Sequence, residues 1–409
     1  MSRKLSRKQL LIAGGAAGAA AAVGGGIVHE SRSGATPAQA DASVQSPTVP
    51  FHGVYQAGIL TPSQSDLRFA SFDFIGSGKQ DLHDLLRAWT TAAATLTAGQ
   101  PLGTPNEDPA KPPTDTGEAT GLAPARLTLT FGLGPTLFDK VGLSSRRPPQ
   151  LTDIPHFPFD ELDPSISGGD LCVQACADDP QVAFHAIRAL TRIGFGVTAL
   201  RWIQSGFTSA PVGNGTKRNL MGFKDGTANP STSDAAMMKS NVWASAGDGQ
   251  DWMANGSYLV SRKVEIRIEV WDTSAESEQE GVFGRHKRSG APFGATSEFD
   301  TVHIEDIPAR AHIRRANPRQ GEVTERERIL RRGYNFDEGL DAGFTESVAG
   351  LFFLAYQRDP RAQFVPIQSR LAAEDRLNEY IQHVSSAVWA ILPGVERPDD
   401  YLGQTLFEA

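Results

Sequence analysis

Short apolar runs and segments of helical periodicity alternate along the first half of the chain. Such runs are typical of buried strands, whereas apolar positions three and four residues apart indicate helices. The pattern predicts strands at residues 54–60, 127–131, 171–177 and 197–206. It predicts helices at residues 81–96, 135–141 and 181–193, with Asp179 as the cap of the last one. Loops rich in proline and glycine are predicted at residues 100–121 and 146–169.

The second half of the chain repeats this alternation more loosely. Strands are predicted at residues 257–271 and 351–357, and helices at residues 277–283 and 367–384. In both halves an Asp-Pro step follows a strand and introduces a helix. This order predicts an α+β fold of two ferredoxin-like (split βαβ) modules with antiparallel sheets, at residues 51–212 and 213–409.

The first 40 residues predict a signal peptide. A basic start, a run rich in alanine and glycine, and Ala38-Gln39-Ala40 follow the secretory pattern. The segment S-R-K-Q-L-L resembles a twin-arginine export signal with Lys8 in place of the second arginine. A membrane span is the alternative, but the run is poor in leucine and isoleucine. We expect export to the periplasm, cell envelope or medium by the twin-arginine route, no stable membrane anchor, and a flexible leader at residues 41–50.

The composition is that of a globular protein with an acidic body. The chain has 409 residues, enough for two ordinary domains with a substantial core. The formal net charge is −8, and beyond residue 40 there are 34 basic and 46 acidic side chains, a net charge of −12. This negative charge argues against nucleic acid and anionic lipid surfaces as partners.

The two cysteines, Cys172 and Cys176, lie in one predicted strand. A metal or redox pair is one interpretation, but the spacing is not C-x-x-C and no neighbouring histidine or cysteine completes a metal site. On a strand both side chains point to the same face and lie too far apart for a disulfide bond. We therefore interpret them as small thiols of the core.

One stretch, residues 219–230, concentrates residues that are suited to chemistry. It reads N-L-M-G-F-K-D-G-T-A-N-P and places Asp225 between two glycines that permit a sharp turn. A surface Asp-Gly turn is the plain alternative. In the second half, His312 and the pair Arg331 and Arg332 could meet Asp225 in one pocket. Their own alternatives are a surface histidine and a solvated basic face.

Several segments, taken in their order along the chain, resemble the dye-decolourising peroxidases, in particular the exported branch that includes deferrochelatase/peroxidases. The segments are Q-A-G-I at Gln56, G-F-K-D-G-T-A-N-P, G-R-H-K-R-S-G-A-P at Gly284, A-H-I-R-R-A-N-P-R, I-L-R-R-G-Y-N-F, L-F-F-L-A-Y-Q-R-D-P-R and Y-L-G-Q-T-L-F-E. The resemblance runs from Phe51 to the C-terminus. One departure is Tyr55, where the family often has histidine. The resemblance implies one haem b per chain, held between the sheet and the helices of the second ferredoxin-like module.

The resemblance also implies roles for individual residues. His312 matches the axial ligand of the haem iron, and Asp225 and Arg331 match the catalytic acid and arginine on the opposite face. Asp375 falls where the family places a carboxylate that orients the histidine. The remaining cofactor-binding residues that the resemblance implies are Gly226, Thr227, Ala228, Asn317, Pro318 and Arg319.

The function that follows is that of an exported haem b peroxidase. It would reduce hydrogen peroxide and oxidise bulky one-electron donors such as dyes through a ferryl intermediate. A haem-handling deferrochelatase of an iron-uptake system, which releases iron from haem, is the alternative. Cargo of a protein shell is a third reading, disfavoured by the signal peptide and by a chain that ends at the family's own L-F-E. Homo-oligomerisation and partners in iron uptake stay open.

Overall fold

Antiparallel strands that pair in a closed circuit form the frame of the protein. The computed structural model describes residues 48–106, 108–211, 215–343 and 345–408. The predicted signal peptide and residues 41–47 of the predicted leader lie outside the described residues. The predicted module boundary at residues 212 and 213 also lies outside them and stays a prediction.

The described part of residues 48–211 contains four strands and three α-helices. In chain order they are β1 (Asp66–Phe74), α1 (Lys79–Thr97), β2 (Thr128–Leu133), α2 (Leu137–Lys140), β3 (Leu171–Ala177), α3 (Pro180–Ile193) and β4 (Thr198–Phe207). The described residues from 215 onward contribute five strands and seven α-helices. They are α4 (Ala235–Asn241), β5 (Ser257–Ile266), α5 (Ile268–Asp272), α6 (Glu276–Phe283), α7 (His312–Ala316), α8 (Glu322–Arg326), β6 (Leu330–Arg331), β7 (Tyr334–Leu340), β8 (Ser347–Gln357), α9 (Phe364–Glu374), β9 (Ile381–Ile391) and α10 (Gln404–Phe407).

The two halves of the chain order their strands in the same way. The first half runs β2-β3-β1-β4 and the second, with the two-residue β6 left aside, runs β9-β5-β8-β7, so that in each half the first and third of these four strands lie at the centre. Short pairings join the halves at two places, β2 with β9 and β4 with β7. Because β5 pairs with both β8 and β9, eight strands close a circuit, and β6 lies beside β8.

Three groups of buried residues fill the fold. One lies inside the circuit and includes Phe69, Trp202, Tyr356 and Trp389 from four different strands. A second lies between the strands and the helices α1 and α3, where the indole of Trp89 donates to the carbonyl of Leu190 at 3.0 Å. The third comprises Met221, Phe223, Ile266, Trp271, Val282, Phe283, Leu377 and Tyr380, and supports the region that contains His312.

Most of the predicted elements are confirmed. Helices α1, α2, α3 and α6 and strands β2, β3, β4 and β8 lie within a few residues of their predicted positions. The carboxylate of Asp179 accepts hydrogen bonds from the backbone N–H groups of Gln181 and Val182, as the cap prediction requires. Cys172 and Cys176 are both free thiols buried in the core, which confirms that interpretation.

The prediction of a strand at residues 54–60 is wrong. That segment consists of turns, and the first strand of the fold is β1, which the sequence analysis missed. Gly58 has φ 93°, and a side chain at this position would collide with the hydroxyl of Thr130. The Gln56 amide instead donates to the carbonyls of Phe131 and Leu392 at 2.9 and 2.8 Å. The apolar run thus covers the ends of strands rather than forming one.

Two predicted elements of the second half are too long. The strand predicted at residues 257–271 ends at Ile266, because the chain turns at Arg267 into the short helix α5. The helix predicted at residues 367–384 ends at Glu374, since Asp375 is extended and caps a following turn of 3-10 helix. The remainder enters β9, where β-branched residues favour a strand. Within the described residues, no helix combines the length and the apolar character that crossing a membrane requires.

Candidate active site

One large cavity opens among the elements of the second half of the chain. Its volume is about 690 Å³, within the range of sites for small molecules and cofactors. Strands β5, β8 and β9 contribute lining residues such as Val264, Phe353 and Ile381, and helices α7 and α9 contribute Ile313 and Ile367. The loop that carries G-F-K-D-G-T-A-N-P completes the lining. The cavity therefore joins apolar surface with the residues that the sequence analysis selected.

An ion pair between Asp225 and Arg331 lies at the wall of this cavity. A guanidinium nitrogen of Arg331 donates to the carboxylate of Asp225 at 2.6 Å, and both side chains are partly exposed. Burial raises the pKa of the Asp225 carboxyl. The charge and hydrogen bond of Arg331, together with the charge of Lys217, outweigh burial, so this pKa lies below its ordinary value. Asp225 is thus an ionised carboxylate in mild acid.

Asn229 holds the two partners of this ion pair in register. Its side-chain amide donates to the carbonyl of Arg331 at 2.9 Å, and its side-chain oxygen accepts from the N–H of Arg331 at 2.8 Å. These bonds reproduce a strand pairing between the loop after Asp225 and the short strand β6. The sequence analysis did not assign this role to Asn229.

We expect Asn229→Ala to lower the free energy of unfolding by about 2 kcal/mol, because two hydrogen bonds to backbone groups are lost. Chemical denaturation of the cofactor-free protein measures this change. Thr232→Ala, an exposed neighbour outside the cavity, is the control and should leave the midpoint unchanged. Equal midpoints for Asn229→Ala and wild type would mean that the loop is held by other contacts.

Glu298 anchors the same loop from behind. This buried carboxylate forms an ion pair with Lys224 and accepts a hydrogen bond from the hydroxyl of Thr227 at 2.9 Å. Gly226, with φ 130°, provides the sharp bend between these two anchored residues. The ionised carboxylate of Asp225 is therefore held on a loop that is fixed on both sides.

His312 and Asp375 form a second polar pair at the cavity. The Nδ1 atom of His312 lies 2.6 Å from a carboxylate oxygen of Asp375. Because an ionised carboxylate can only accept, Nδ1 carries the proton and Nε2 stays available as a ligand. Asp375 is buried, and its other oxygen accepts from the N–H of Leu377 at 2.9 Å. The imidazole is thus fixed in one tautomer by a carboxylate that is itself fixed.

The residues that follow the histidine form a tight turn. The side-chain oxygen of Asn317 accepts from the N–H of Arg319 at 3.1 Å, and Arg319 has φ 54°, which is unusual for a residue other than glycine. The guanidinium of Arg319 donates to the carbonyls of Ile313 and Asn317. Burial, and then the neighbouring charge of Arg285, lower the pKa of Arg319.

The cavity has the chemistry to hold a largely apolar anion. Among the described residues, neither Arg285 nor Arg319 forms an ion pair with a carboxylate, although both line the cavity. Arg262 is almost fully buried and pairs with Asp160, but its Nε and Nη1 atoms have no hydrogen-bond partner. Apolar walls, unpaired guanidinium donors and one available imidazole nitrogen fit haem b, which carries two propionates and an iron with an open axial position.

The structure brings all of the predicted site residues to this one cavity. Asp225, Gly226, Thr227, Ala228, His312, Asn317, Pro318, Arg319, Arg331 and Asp375 all line it. Their roles stay predictions. Arg332 does not join them, because its buried guanidinium turns away to bond Thr61 and Gln64.

The sequence analysis missed several lining residues. His383 was given no role, yet it lies at the wall, where burial and then Arg262 lower its pKa to about 3. Leu351 and Phe353 also line the cavity, and their alternation along β8 was the only signal that could have revealed them. Among the described residues, no group of three or more His, Cys, Asp or Glu side chains is placed to hold a metal ion.

Comparisons with known proteins cover nearly the whole described chain. The family model for the N-terminal part of the Dyp-type peroxidases matches residues 56–208, and the model for their C-terminal part matches residues 216–396. A deferrochelatase of Shigella sonnei is 37% identical over 395 residues, which are 93% of this chain and 92% of the relative. A deferrochelatase of Escherichia coli strain K12 is 36% identical over the same shares.

Solved structures of Dyp-type peroxidases also match this chain over most of its length. An oxyferrous complex of DtpA from Streptomyces lividans has a TM-score of 0.82 and 36% identity, and the match covers 90% of this chain and 99% of that one. A DyP-type peroxidase from Cellulomonas bogoriensis has a TM-score of 0.80 and 38% identity, covering 90% of this chain and all of that one.

Proposed function

Because the chain belongs to the Dyp-type peroxidase family, we propose that it is an exported haem b peroxidase that reduces hydrogen peroxide and oxidises bulky one-electron donors. The observation that carries the proposal is the meeting of two polar pairs, Asp225 with Arg331 and His312 with Asp375, at one cavity of suitable size. The acid, the arginine and the imidazole that such a reaction uses are thereby all available to one bound haem.

Haem b would lie between the sheet and the helices of the second half. Val264, Phe353 and Ile381 on the strands, and Ile367 and Leu371 on α9, would contact its apolar ring. The shared strand order of the two halves supports the further proposal that each half is a ferredoxin-like module. Haem bound there would supply the iron at which peroxide is reduced, and Nε2 of His312 is the atom that would hold it.

Asp225 and Arg331 would move and stabilise charge on the other side. The ionised carboxylate of Asp225 can accept a proton from hydrogen peroxide and later return it to the departing oxygen. The guanidinium of Arg331 would stabilise negative charge as the O–O bond breaks. The ion pair between them places the two groups within reach of one small substrate.

Asp375 would make His312 a stronger ligand. A carboxylate on the second ring nitrogen fixes the orientation of the ring and raises its basicity. We expect Asp375→Asn to weaken haem binding by about 10-fold to 100-fold, the usual cost of losing such a partner. Titration of the cofactor-free protein with haem measures the change. Glu327→Gln, which removes a buried carboxylate charge at the cavity whose partner is Arg370 and not His312, is the comparison variant. Equal haem affinity in Asp375→Asn and wild type would contradict the role.

A second function is favoured by the names of the relatives. Curated proteins that match 93% of this chain are called deferrochelatase, which points to removal of iron from haem. In that case haem itself is the substrate, and iron-free porphyrin accumulates as a fluorescent product. The same residues would hold the porphyrin in both functions, so that the product distinguishes them.

Export is part of the proposal and rests on the sequence of the first 40 residues. The basic start, the Ala/Gly-rich run and Ala38-Gln39-Ala40 support cleavage after transport, and S-R-K-Q-L-L supports the twin-arginine route despite Lys8. That route carries folded proteins, which suits a chain that binds its cofactor before transport. Fractionation of cells that produce the full chain, with Arg7→Lys as the comparison, tests this part.

An absorption spectrum before and after one equivalent of hydrogen peroxide tests the proposal as a whole. A Soret band that shifts within seconds of peroxide addition supports the peroxidase. A Soret band that peroxide leaves unchanged, together with growing porphyrin fluorescence under reducing conditions, supports the second function. The absence of a Soret band after reconstitution with haem would overturn both.

A further inference from the structure

We propose that Lys217 is a positioning residue of this site, whose ammonium keeps Asp225 ionised and so sets the acid limit of proton uptake from peroxide. The inference rests on the proposed role of Asp225. The sequence analysis gave Lys217 no role, and among the described residues its ammonium forms no ion pair within hydrogen-bonding distance.

Lys217 and Asp225 lie opposite each other at the base of a hairpin. Residues 218 and 224 form an antiparallel bridge, and the N–H of Asp225 donates to the carbonyl of Lys217 at 2.8 Å. Directly opposed side chains of an antiparallel pair lie on the same face with their Cβ atoms about 5 Å apart. The backbone therefore holds the ammonium and the carboxylate as neighbours without a direct contact.

The ammonium of Lys217 is held in place from the other side. Nζ donates to the carbonyl of Gly333 at 2.8 Å and lies 5.4 Å from the centre of the Tyr334 ring, a cation–π contact. Both partners directly follow the arginine pair on the chain. Burial is the main effect on the pKa of Lys217 and lowers it, whereas the charge of Asp225 raises it. The carbonyl oxygen of Gly333 and the face of the Tyr334 ring both favour the charged ammonium.

More positive than negative side chains surround Asp225. Arg331 faces the carboxylate from β6, His312 from α7 and Lys217 from the opposite side of the hairpin. Lys224 is adjacent in sequence, but its charge is neutralised by Glu298. Lys217 itself faces Asp225, Arg331, Arg332 and the thiol of Cys176. One carboxylate thus interacts with two permanent cations, of which only Arg331 is bonded to it.

The position of Lys217 determines in which direction its ammonium shifts the pH at which Asp225 becomes protonated. Asp225 accepts a proton only while it is ionised, and this form is lost as the pH falls through the pKa of its carboxyl group. Lys217 lowers that pKa, so that removing the ammonium moves the loss to higher pH. The Coulomb energy of one unit charge on a neighbouring side chain, at the effective dielectric constant of a partly exposed site, corresponds to a midpoint shift of about one pH unit.

Three variants separate charge from structure. Lys217→Met removes the ammonium and retains the stem, Lys217→Arg retains the charge, and Lys239→Met removes one exposed lysine of α4. The rate of the haem-loaded protein with peroxide is measured from pH 3 to pH 7. We expect the acid midpoint to rise by about one unit in Lys217→Met and to stay within about 0.2 unit of wild type in the other two. A second neutral variant, Lys217→Gln, is used if Lys217→Met does not fold.

A direct titration makes the result independent of activity. Carbon-13 NMR of aspartate-labelled protein loaded with zinc protoporphyrin follows the Asp225 carboxyl, which Asp225→Asn identifies. A midpoint that rises in Lys217→Met but not in Lys217→Arg supports the proposal. An unchanged midpoint, or an equal rise in Lys239→Met, overturns it. If the wild-type protein did not react with peroxide but the carboxyl titration still moved, the proposed function would fail and the electrostatic role of Lys217 would stand.

Discussion

His312→Ala, purified from cells supplied with haem, is expected to carry less than about a tenth of the haem of the wild-type protein. His312 lines the cavity, and the hydrogen bond from its Nδ1 to the buried carboxylate of Asp375 leaves Nε2 available as a ligand. Without it, the apolar walls and the arginines still attract a porphyrin, but the iron loses its protein ligand. The ratio of Soret absorbance to protein absorbance measures the loss.

A matched control for this prediction is His286→Ala. His286 also has a carboxylate partner, because its Nδ1 lies 3.0 Å from Glu280, but it does not line the cavity. This variant should bind haem as the wild type does. Added imidazole should restore haem to His312→Gly, in which the ring is replaced by space. Full haem content in His312→Ala would mean that another residue holds the iron.

The second large effect is expected on the rate of reaction with peroxide when Asp225 or Arg331 is replaced. Asp225→Ala and Arg331→Leu should retain haem but slow the reaction with peroxide by about 10²-fold to 10³-fold each. The first variant removes the proton acceptor, and the second removes the fixed positive charge that stabilises the departing oxygen. Stopped-flow absorbance at the Soret band measures the rate.

The two variants should also differ in their pH dependence. Arg331→Leu removes the largest influence that lowers the pKa of Asp225, so its rate should fall at a higher pH than that of the wild type. In Asp225→Ala, the fall in rate that accompanies protonation of Asp225 at low pH should be absent. Arg326→Leu, an exposed arginine outside the cavity, is the control and should keep the wild-type rate. Unchanged rates in both Asp225→Ala and Arg331→Leu would show that the proton moves by another route.

Local signals in the sequence predicted the elements whose cause is local. Asp179 and Pro180 begin α3 by hydrogen bonds and dihedral angles within a few residues, and both are visible in the sequence. The apolar run at residues 54–60 misled because its position depends on partners far along the chain, the carbonyls of Phe131 and Leu392. Apolar character alone cannot distinguish a strand from a segment that covers the ends of strands.

At the candidate site, too, residues in recognisable motifs were predicted, whereas residues that depend on distant partners were not. Asp225, His312 and Arg331 were found because their motifs resemble those of a known family, and the structure brings them to one cavity. The sequence did not reveal the importance of Asn229, Glu298 or Lys217, because it depends on partners that are close in space. These partners lie about 70 to 100 residues away along the chain or across a hairpin. No periodicity in the sequence records such contacts.

The closed circuit of strands has a consequence for how the chain can be divided. Either half alone would expose the strands that meet the other half, β2 and β4 or β7 and β9, as rows of unpaired backbone groups. Such edges pair readily with other chains and lead to aggregation. In the intact chain these strands are joined at their ends, β2 with β9 over two residue pairs and β4 with β7 over one. Each half therefore depends on the other to pair the ends of its outer strands, and neither half is expected to remain monomeric when it is produced alone.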